Sequence, residues 1–336
     1  MIRLSICIPT YNFGQFIGQT LDSILPQASS EVEVIILDGG STDETSTAVQ
    51  ARQQGYPKLK YFNQNFRGGI DRDIEKAVSL AQGQYCWLFS ADDIMVPGAI
   101  ARVLDAIGSG YDIYLCEHDL CSIGMNEISE YPIFNNIKNQ KIFNLSDAYQ
   151  KNEYFRSART SEAFFSFLAG PIFKRATWDS ASIPESFRGT CWIVAGRLLS
   201  AIKNGITIQY LGETLIHKRE GNDSFSNGSL VNRCRISIEG FQHIINNIFG
   251  SHSEEAFQIR RVLHRDIPFR SLLFAKLSAA EHPKKEDMAL LRKLVKMHYA
   301  DPTIKNWVKF ILFNAAPIPG LKAAHGFKHF IRKHVT

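Results

Sequence analysis

Up to Phe89 the chain alternates short, almost unbroken apolar runs with stretches of helical apolar spacing. The apolar runs are Leu4–Ile8, Val32–Leu37, Leu59–Phe62 and Tyr85–Phe89. Between them, Phe16, Ile17, Leu21, Ile24 and Leu25 recur as on one face of a helix. Ser41-Thr42-Asp43-Glu44 opens a second helix, with Ser41 or Thr42 as its N-cap and acids in its first turn. Gly69–Ala81 reads as a third. Strands that are apolar along their whole length need cover on both faces, and strands joined through helices run parallel. The pattern predicts an α/β fold with a mainly parallel, helix-covered sheet. Such sheets bind ligands outside the carboxyl ends of their strands. Pro9-Thr10-Tyr11-Asn12, Asp38–Asp43 and Ser90-Ala91-Asp92-Asp93 all fall at that edge.

The last of these clusters carries the sharpest chemical signal. Asp92 and Asp93 are adjacent carboxylates at the mouth of an apolar strand. Each raises the pKa of the other unless a cation or donor lies between them. A divalent metal carrying a diphosphate removes that cost. The bland alternative is an acidic pair capping a helix that starts near Pro97. Asn65–Asp71 contains Gly68 and Gly69, which allow close backbone approach to a ligand. There Arg67 can meet a phosphate and Asp71 a sugar hydroxyl, or the stretch is only a helix entry with a solvated Arg. A late apolar run, Ile206–Ile216, leads into His217-Lys218-Arg219-Glu220-Gly221-Asn222-Asp223-Ser224. This loop can close over a diphosphate, with Lys218 or Arg219 on its oxygens and His217 as a third metal ligand. It can equally be a solvated charged loop. The six cysteines form no CxxC pair, which excludes a zinc-ribbon pattern.

Ser-Ile-Cys-Ile-Pro-Thr-Tyr-Asn, Leu-Asp-Gly-Gly-Ser-Thr-Asp and Ser-Ala-Asp-Asp, in this order, resemble the family 2 glycosyltransferases of GT-A fold, over about residues 3–105. Tyr85-Cys86-Trp87, Asp112–Cys116 and Arg219–Phe225 further resemble the abequosyltransferase-type branch of O-antigen assembly. The resemblance implies a Rossmann-like nucleotide-sugar-binding domain and a divalent cofactor, Mg2+ or Mn2+, on Asp92 and Asp93. It implies that Asp38 holds the nucleoside, with Asp43 either sharing that task or serving as a helix-start acid. Pro9, Thr10, Tyr11 and Asn12 would line the nucleotide, with Tyr11 stacking on the base or simply packing in a loop. Arg67, Asp71, Ala91, Arg219 and Asn222 complete the implied donor site. The implied reaction moves a sugar, with deoxy and dideoxy sugars among the candidates, to a lipid-linked (undecaprenyl diphosphate) glycan of surface polysaccharide. The implied location is cytoplasmic, peripheral on the inner face of a bacterial inner membrane.

The family's acidic catalytic base does not match. The corresponding stretch reads Phe187-Arg188-Gly189-Thr190-Cys191-Trp192-Ile193-Val194 and holds no carboxylate. Glu117, Asp119, Asp179 and Glu185 are the nearby candidates. The missing acid supports a different-class alternative, a degenerate non-catalytic nucleotide- or glycan-binding protein. The Asp92–Asp93 pair speaks against it, since binding alone needs no paired metal site. Nucleotidyl transfer would want a Gly-rich basic loop after the first strand, and Thr10-Tyr11-Asn12-Phe13-Gly14 is not one.

The expected organisation is a GT-A domain over 1–228 (donor half about 1–105, acceptor half about 106–228) and a helical region over 229–336. Helical spacing recurs through Ile236–Phe249, Ala256–Leu263, Phe269–Leu277 and Met288–Met297. Beyond Asp301 no acid remains, while Lys305, Lys309, Lys322, Lys328, Arg332 and Lys333 do. With Trp307, Phe310 and Phe313 this tail fits an anionic membrane surface, or else packs on the protein with a basic face in water. Cys7 and Cys86 inside apolar strands read as buried thiols of a reducing compartment. A first strand close to the N-terminus predicts no secretory leader. No segment reaches membrane-span length. The net charge of +5 lies mainly in the tail without a nucleic-acid motif, so no nucleic-acid partner is expected.

Overall fold

The structure is a computed structural model that describes residues 1–222 and 229–322. Asp223, Ser224 and Phe225 of the late loop, and Lys328, Arg332 and Lys333 of the tail, lie outside the described residues. The strands are β1 (Leu4–Thr10), β2 (Val32–Asp38), β3 (Leu59–Asn63), β4 (Tyr85–Leu88), β5 (Ile94–Met95), β6 (Ile113–Cys121), β7 (Glu127–Glu130), β8 (Lys141–Asn144), β9 (Pro171–Lys174) and β10 (Thr207–Arg219). Among the described residues they form one sheet in the order β3-β2-β1-β4-β9-β6-β10-β5, with β7 beside β6 and β8 beside β10. β1 to β4 pair in parallel, as do β6 and β10. The α/β expectation holds, and the apolar runs are the parallel strands. β9 enters antiparallel between β4 and β6.

That insertion decides what shares an edge. β9 is antiparallel to both neighbours, so β4 and β6 point the same way. The carboxyl ends of β1, β2, β4, β6 and β10 therefore meet at one edge, and the segment leading into β9 reaches it too. β9 starts with Pro171, which has no N–H to give to a ladder.

β1 and β2 are buried along their full length, as their composition requires. Two buried polar side chains on them are satisfied locally. Glu33 accepts from the Ser5 hydroxyl at 2.6 Å, the Gln82 amide at 2.6 Å and Lys60 at 2.7 Å. Trp87 lies at the centre of the core, its indole N–H donating to the Ala169 carbonyl at 2.8 Å. The second helix starts at Thr45, not after Ser41 or Thr42. Asp43 joins the starts of two helices, Gly14–Ile24 and Thr45–Gln53: its carboxylate accepts the Thr45 amide at 3.0 Å and the Gly14 amide at 2.9 Å. The Ser41 hydroxyl accepts instead from the Asn12 amide at 2.8 Å.

The chain divides into two compact units, 1–222 with 247–258, and 223–246 with 259–336. In the second unit, helices Leu230–Ile244, Phe269–Glu281, Met288–His298 and Ile304–Ala315 surround a cluster that includes Val231, Leu272, Leu291, Leu294 and Phe313. Glu286 satisfies the start of the first of these helices, accepting the Leu230 and Val231 amides at 2.8 and 3.0 Å. Lys276 reaches the end of the last one, donating to the Ala316 carbonyl at 2.8 Å. Trp307, Phe310 and Phe313 do not form one face. Phe313 is fully buried and Phe310 packs on the same cluster, while Trp307 is exposed. No helix among the described residues is long and apolar enough to cross a membrane.

Candidate active site

The carboxyl edge of the sheet is built where β1 and β2 end side by side, with Thr10 in register with Asp38. Asp38 is fully buried. Its carboxylate accepts the Ser41 amide at 2.7 Å and the Tyr61 hydroxyl at 2.6 Å. Burial, then Asp38, pushes the Tyr61 phenol up to about 12, so the Tyr stays a donor. Pro9 is buried within β1, and the Thr10 hydroxyl is buried with no hydrogen-bond partner among the described residues. Asn12, at φ 58°, accepts the Thr42 amide at 2.8 Å and so ties the two loops together. Arg67 lies over the Tyr11 ring, 4.3 Å from its centre. Asp43 has its carboxylate engaged by the Thr45 and Gly14 amides. Burial raises its pKa, but hydrogen bonds from Thr45 and Gly14 outweigh this and leave it below the usual range.

Asp73 is a residue the sequence reading missed. It is buried at the start of the helix Ile70–Ser79 and accepts from Gln64 at 2.7 Å. A Cβ at Gly39 would sit 2.8 Å from its carboxylate, and one at Gly68 3.1 Å away. The two glycines thus make room for this acid. Burial, and the charge of Asp38, raise its pKa. The signal in the sequence was only its place at a helix start.

Asp71 faces elsewhere. Its carboxylate accepts the Gly189 and Cys191 amides at 2.8 Å each and the Ile193 amide at 3.2 Å. The stretch where an acidic pair was expected is therefore organised around an acid from another helix. Burial still leaves the Asp71 pKa raised. Asp71→Ala would strand three backbone donors, that of Ile193 buried and those of Gly189 and Cys191 partly so. It should lower stability by about 3 kcal/mol, read as a reduced urea midpoint with unchanged slope. An unaltered midpoint would contradict this assignment.

Asp92 and Asp93 follow β4, beside buried Ala91. Asp93 accepts the Arg219 amide at 2.9 Å, and Asn222 donates its side-chain amide to Asp92. Burial and the neighbouring Asp92 charge push Asp93 up to about 7. Burial also raises Asp92, against Asn222 and Arg219. The pair fits a hard divalent cation: it offers carboxylate oxygens, and its charge is poorly compensated by the protein. Mg2+ keeps several non-protein ligands, which suits a site of two carboxylates. His217 is not gathered with them. Its Nδ1 lies 3.6 Å from Asp119, and no group of three or more His, Cys, Asp or Glu side chains with metal-ligand placement occurs among the described residues.

Arg219 is a clamp. Its side chain donates to the Asp92 carbonyl at 2.8 Å, to Gln19 at 2.8 Å and to the Ile123 carbonyl, and it covers the Phe16 ring. Lys218 is the cation with a looser setting. It pairs with Glu220 at 2.9 Å; burial opposes its charge, but Glu162, Glu220 and Asp93 outweigh burial and hold its pKa up.

The base candidates separate clearly. Asp179 and Glu185 are exposed, and Glu185 pairs with Arg188. Glu117 accepts from the Tyr210 hydroxyl and from the Ile133 amide at 3.3 Å. Asp119 faces His217 and Thr214. A further carboxylate, absent from the sequence reading, is Glu162 in the turn Ser161–Phe164 that leads toward β9. It is buried, 3.3 Å from Nδ1 of His118 on β6. The His118 ring packs on Phe167 and Tyr131 at 4.6 and 5.2 Å. Burial, then Lys218, lowers His118 to about 3, so it is neutral beside Glu162. Asp93, Lys218, Glu162 and His118 thus form one electrostatic group at the carboxyl edge.

A covered, mainly parallel sheet with acids at its strand mouths is the class of open α/β sheet that binds ligands outside its carboxyl edge. Residues 5–165 match the glycosyl transferase family 2 profile, so this part of the chain resembles a glycosyltransferase domain of that family. Over 301 residues it is 26% identical to abequosyltransferase RfbV of Salmonella typhimurium, covering 85% of this chain and 87% of the relative. It is also 26% identical over 207 residues to a Campylobacter jejuni GalNAc(5)-diNAcBac-PP-undecaprenol beta-1,3-glucosyltransferase, covering 57% of this chain and 59% of that one. The fold matches S. aureus TarS in complex with UDP, with a TM-score of 0.60 and 16% identity, over 96% of this chain and 88% of that one. It also matches the mannosyltransferase PcManGT of Pyrobaculum calidifontis in complex with GDP-Man and Mn2+, with a TM-score of 0.54 and 16% identity, over 96% and 86%.

Proposed function

We propose that this glycosyltransferase moves a sugar, of the deoxy or dideoxy class, from a nucleotide-sugar to a lipid-linked glycan during surface-polysaccharide assembly. It works as a peripheral protein at the inner face of the inner membrane. The observation that carries the reading is the Asp92–Asp93 pair, Asp93 buried and Asp92 half-buried, at the strand mouth on the edge that Asp38 shares. The similarity to an abequosyltransferase along most of both chains, and to an enzyme named for an undecaprenol diphosphate acceptor, supports the sugar and acceptor classes.

Asp38 and Asp73, with Tyr11 and Arg67 beside them, hold the nucleoside. Asp92 and Asp93 hold a divalent ion, Mg2+ or Mn2+, which when bound supplies charge neutralisation for the departing diphosphate. Lys218 adds positive charge on the same side. Glu162, beside neutral His118, accepts the proton of the acceptor hydroxyl. As that oxygen bonds to the sugar's anomeric carbon, the bond from this carbon to the phosphate oxygen breaks, and the nucleoside diphosphate leaves. Burial of this group keeps water from competing for the sugar.

The deciding experiment is a thermal-shift screen of UDP, GDP, CDP and dTDP with and without Mn2+ or Mg2+. Ligands of the folded state raise the melting point by mass action. A shift with one nucleotide that needs the metal supports the reading, and no shift with any combination rejects it. Asp38→Asn keeps the shape but removes the charge. It should weaken binding of the stabilising nucleotide about ten- to hundredfold while kcat at saturation changes little. Wild-type affinity would remove Asp38 from the nucleoside site.

A further inference from the structure

The last described long helix, Ile304–Ala315, has two apolar faces, and only one of them is used by the fold. Phe313 and Asn306 point inward, and Phe310 packs on the buried cluster of the second unit. Ile304, Trp307, Val308, Ile311 and Leu312 recur at i, i+3, i+4, i+7 and i+8, and all are exposed; Ile304 is 84%, Trp307 64% and Leu312 52% exposed. This is a continuous stripe at the period of a helix face, not a scatter of single apolar residues. The exposed Lys305 borders it, and Lys309 reaches over the Tyr299 ring at 5.1 Å. The chain has no acidic residue after Asp301.

We infer that the Ile304–Leu312 stripe is the surface by which the protein docks on an anionic lipid bilayer, lying in the headgroup layer without crossing it. Two observations select the bilayer over other occupants. The helix is too short and too charged to span, yet its outer face is apolar. Lys305 and Lys309 beside it and all later charges are basic, which complements anionic headgroups and would repel a second copy of the same face. Trp at such a site suits the interface, where its ring is half wetted. The inference deepens the reading of a lipid-linked acceptor and rests on it for its purpose. It corrects the simpler expectation that Phe310 and Phe313 join Trp307 in contact.

The other three Trp residues are buried, Trp87 at 0%, Trp178 at 3% and Trp192 at 8% exposure, so a shift of Trp emission on binding reports Trp307. The full-length protein is mixed with vesicles of phosphatidylcholine alone or with phosphatidylglycerol. Co-sedimentation with the anionic vesicles at low salt, with a blue shift of emission, is expected. Salt should weaken both, because surface charges are screened within about 10 Å at 0.1 M. The double variant Trp307→Ser/Ile311→Ser touches only exposed positions and should keep the wild-type melting temperature. Its vesicle affinity should fall about tenfold or more, and Lys305→Glu should lower it less. Three outcomes overturn the inference: wild type that ignores anionic vesicles, a double variant that binds as well as wild type, or a vesicle-independent dimer that the double variant abolishes. Transfer is measured in parallel on a long-chain prenyl diphosphate-linked glycan and on the same glycan without its lipid. Vesicle binding with transfer only to the lipid-free glycan would overturn the acceptor reading alone. Loss of vesicle binding with intact transfer to the lipid-linked glycan would overturn the docking surface alone.

Discussion

Asp93→Asn should leave a folded protein that no longer gains stability from nucleoside diphosphate plus Mn2+ or Mg2+. The amide keeps an oxygen to accept the Arg219 N–H, so the bond at 2.9 Å survives. It also removes a charge that is buried against Asp92, so the fold is not weakened. What disappears is the anionic oxygen a divalent ion needs. Turnover should fall by about two to three orders of magnitude, the scale of losing a main electrostatic stabiliser of the departing charge. The checks are a metal titration by thermal shift and a kcat/KM measurement on the same preparation. A variant with wild-type turnover, or wild-type enzyme fully active in chelator, would show that the pair does not hold a working ion.

Glu162→Gln is the second large effect. The amide fills the same space beside His118 but cannot take a proton. Turnover should drop about 10²–10⁴-fold, the usual worth of a positioned general base. Nucleotide affinity should stay within a few-fold, because the proposed nucleoside site lies at Asp38 and Asp73. The pH profile distinguishes catalysis from support: the rise of kcat/KM with pH that reports a base should vanish in the variant. A loss of fold would lower the melting temperature and nucleotide binding together. A Gln variant with near wild-type turnover and an unchanged pH limb would return the search to Glu117 and Asp119.

Both predictions concern the same sheet edge, but the two residues were not equally legible. Asp92 and Asp93 announce themselves, since adjacent acids after an apolar strand are rare and their cost is local. Glu162 gives no such signal. It is one acid in a polar stretch, and it gains meaning only because β9 turns back between β4 and β6 and brings the preceding turn to the carboxyl edge. Asp71 misled for the same reason. Its place after two glycines suggested a ligand, yet its partners are amides 118 to 122 residues away. Arg219 looked like a phosphate binder because guanidinium groups bind phosphate well; in the fold its donors go to carbonyls and a side-chain amide.

By itself, the sequence determined the alternation of parallel strands and helices, and the acidic pair at the carboxyl edge of the sheet. These follow from hydrophobic period, strand composition and neighbouring charge, all of which act over a few residues. Only the tertiary structure decided which partners each acid meets, because hydrogen-bond partners come from distant elements. It also decided which face of the helix Ile304–Ala315 looks outward. Periodicity shows that the helix has apolar sides, but burial of Phe313 in the second unit is what leaves Trp307 and Ile311 to the solvent.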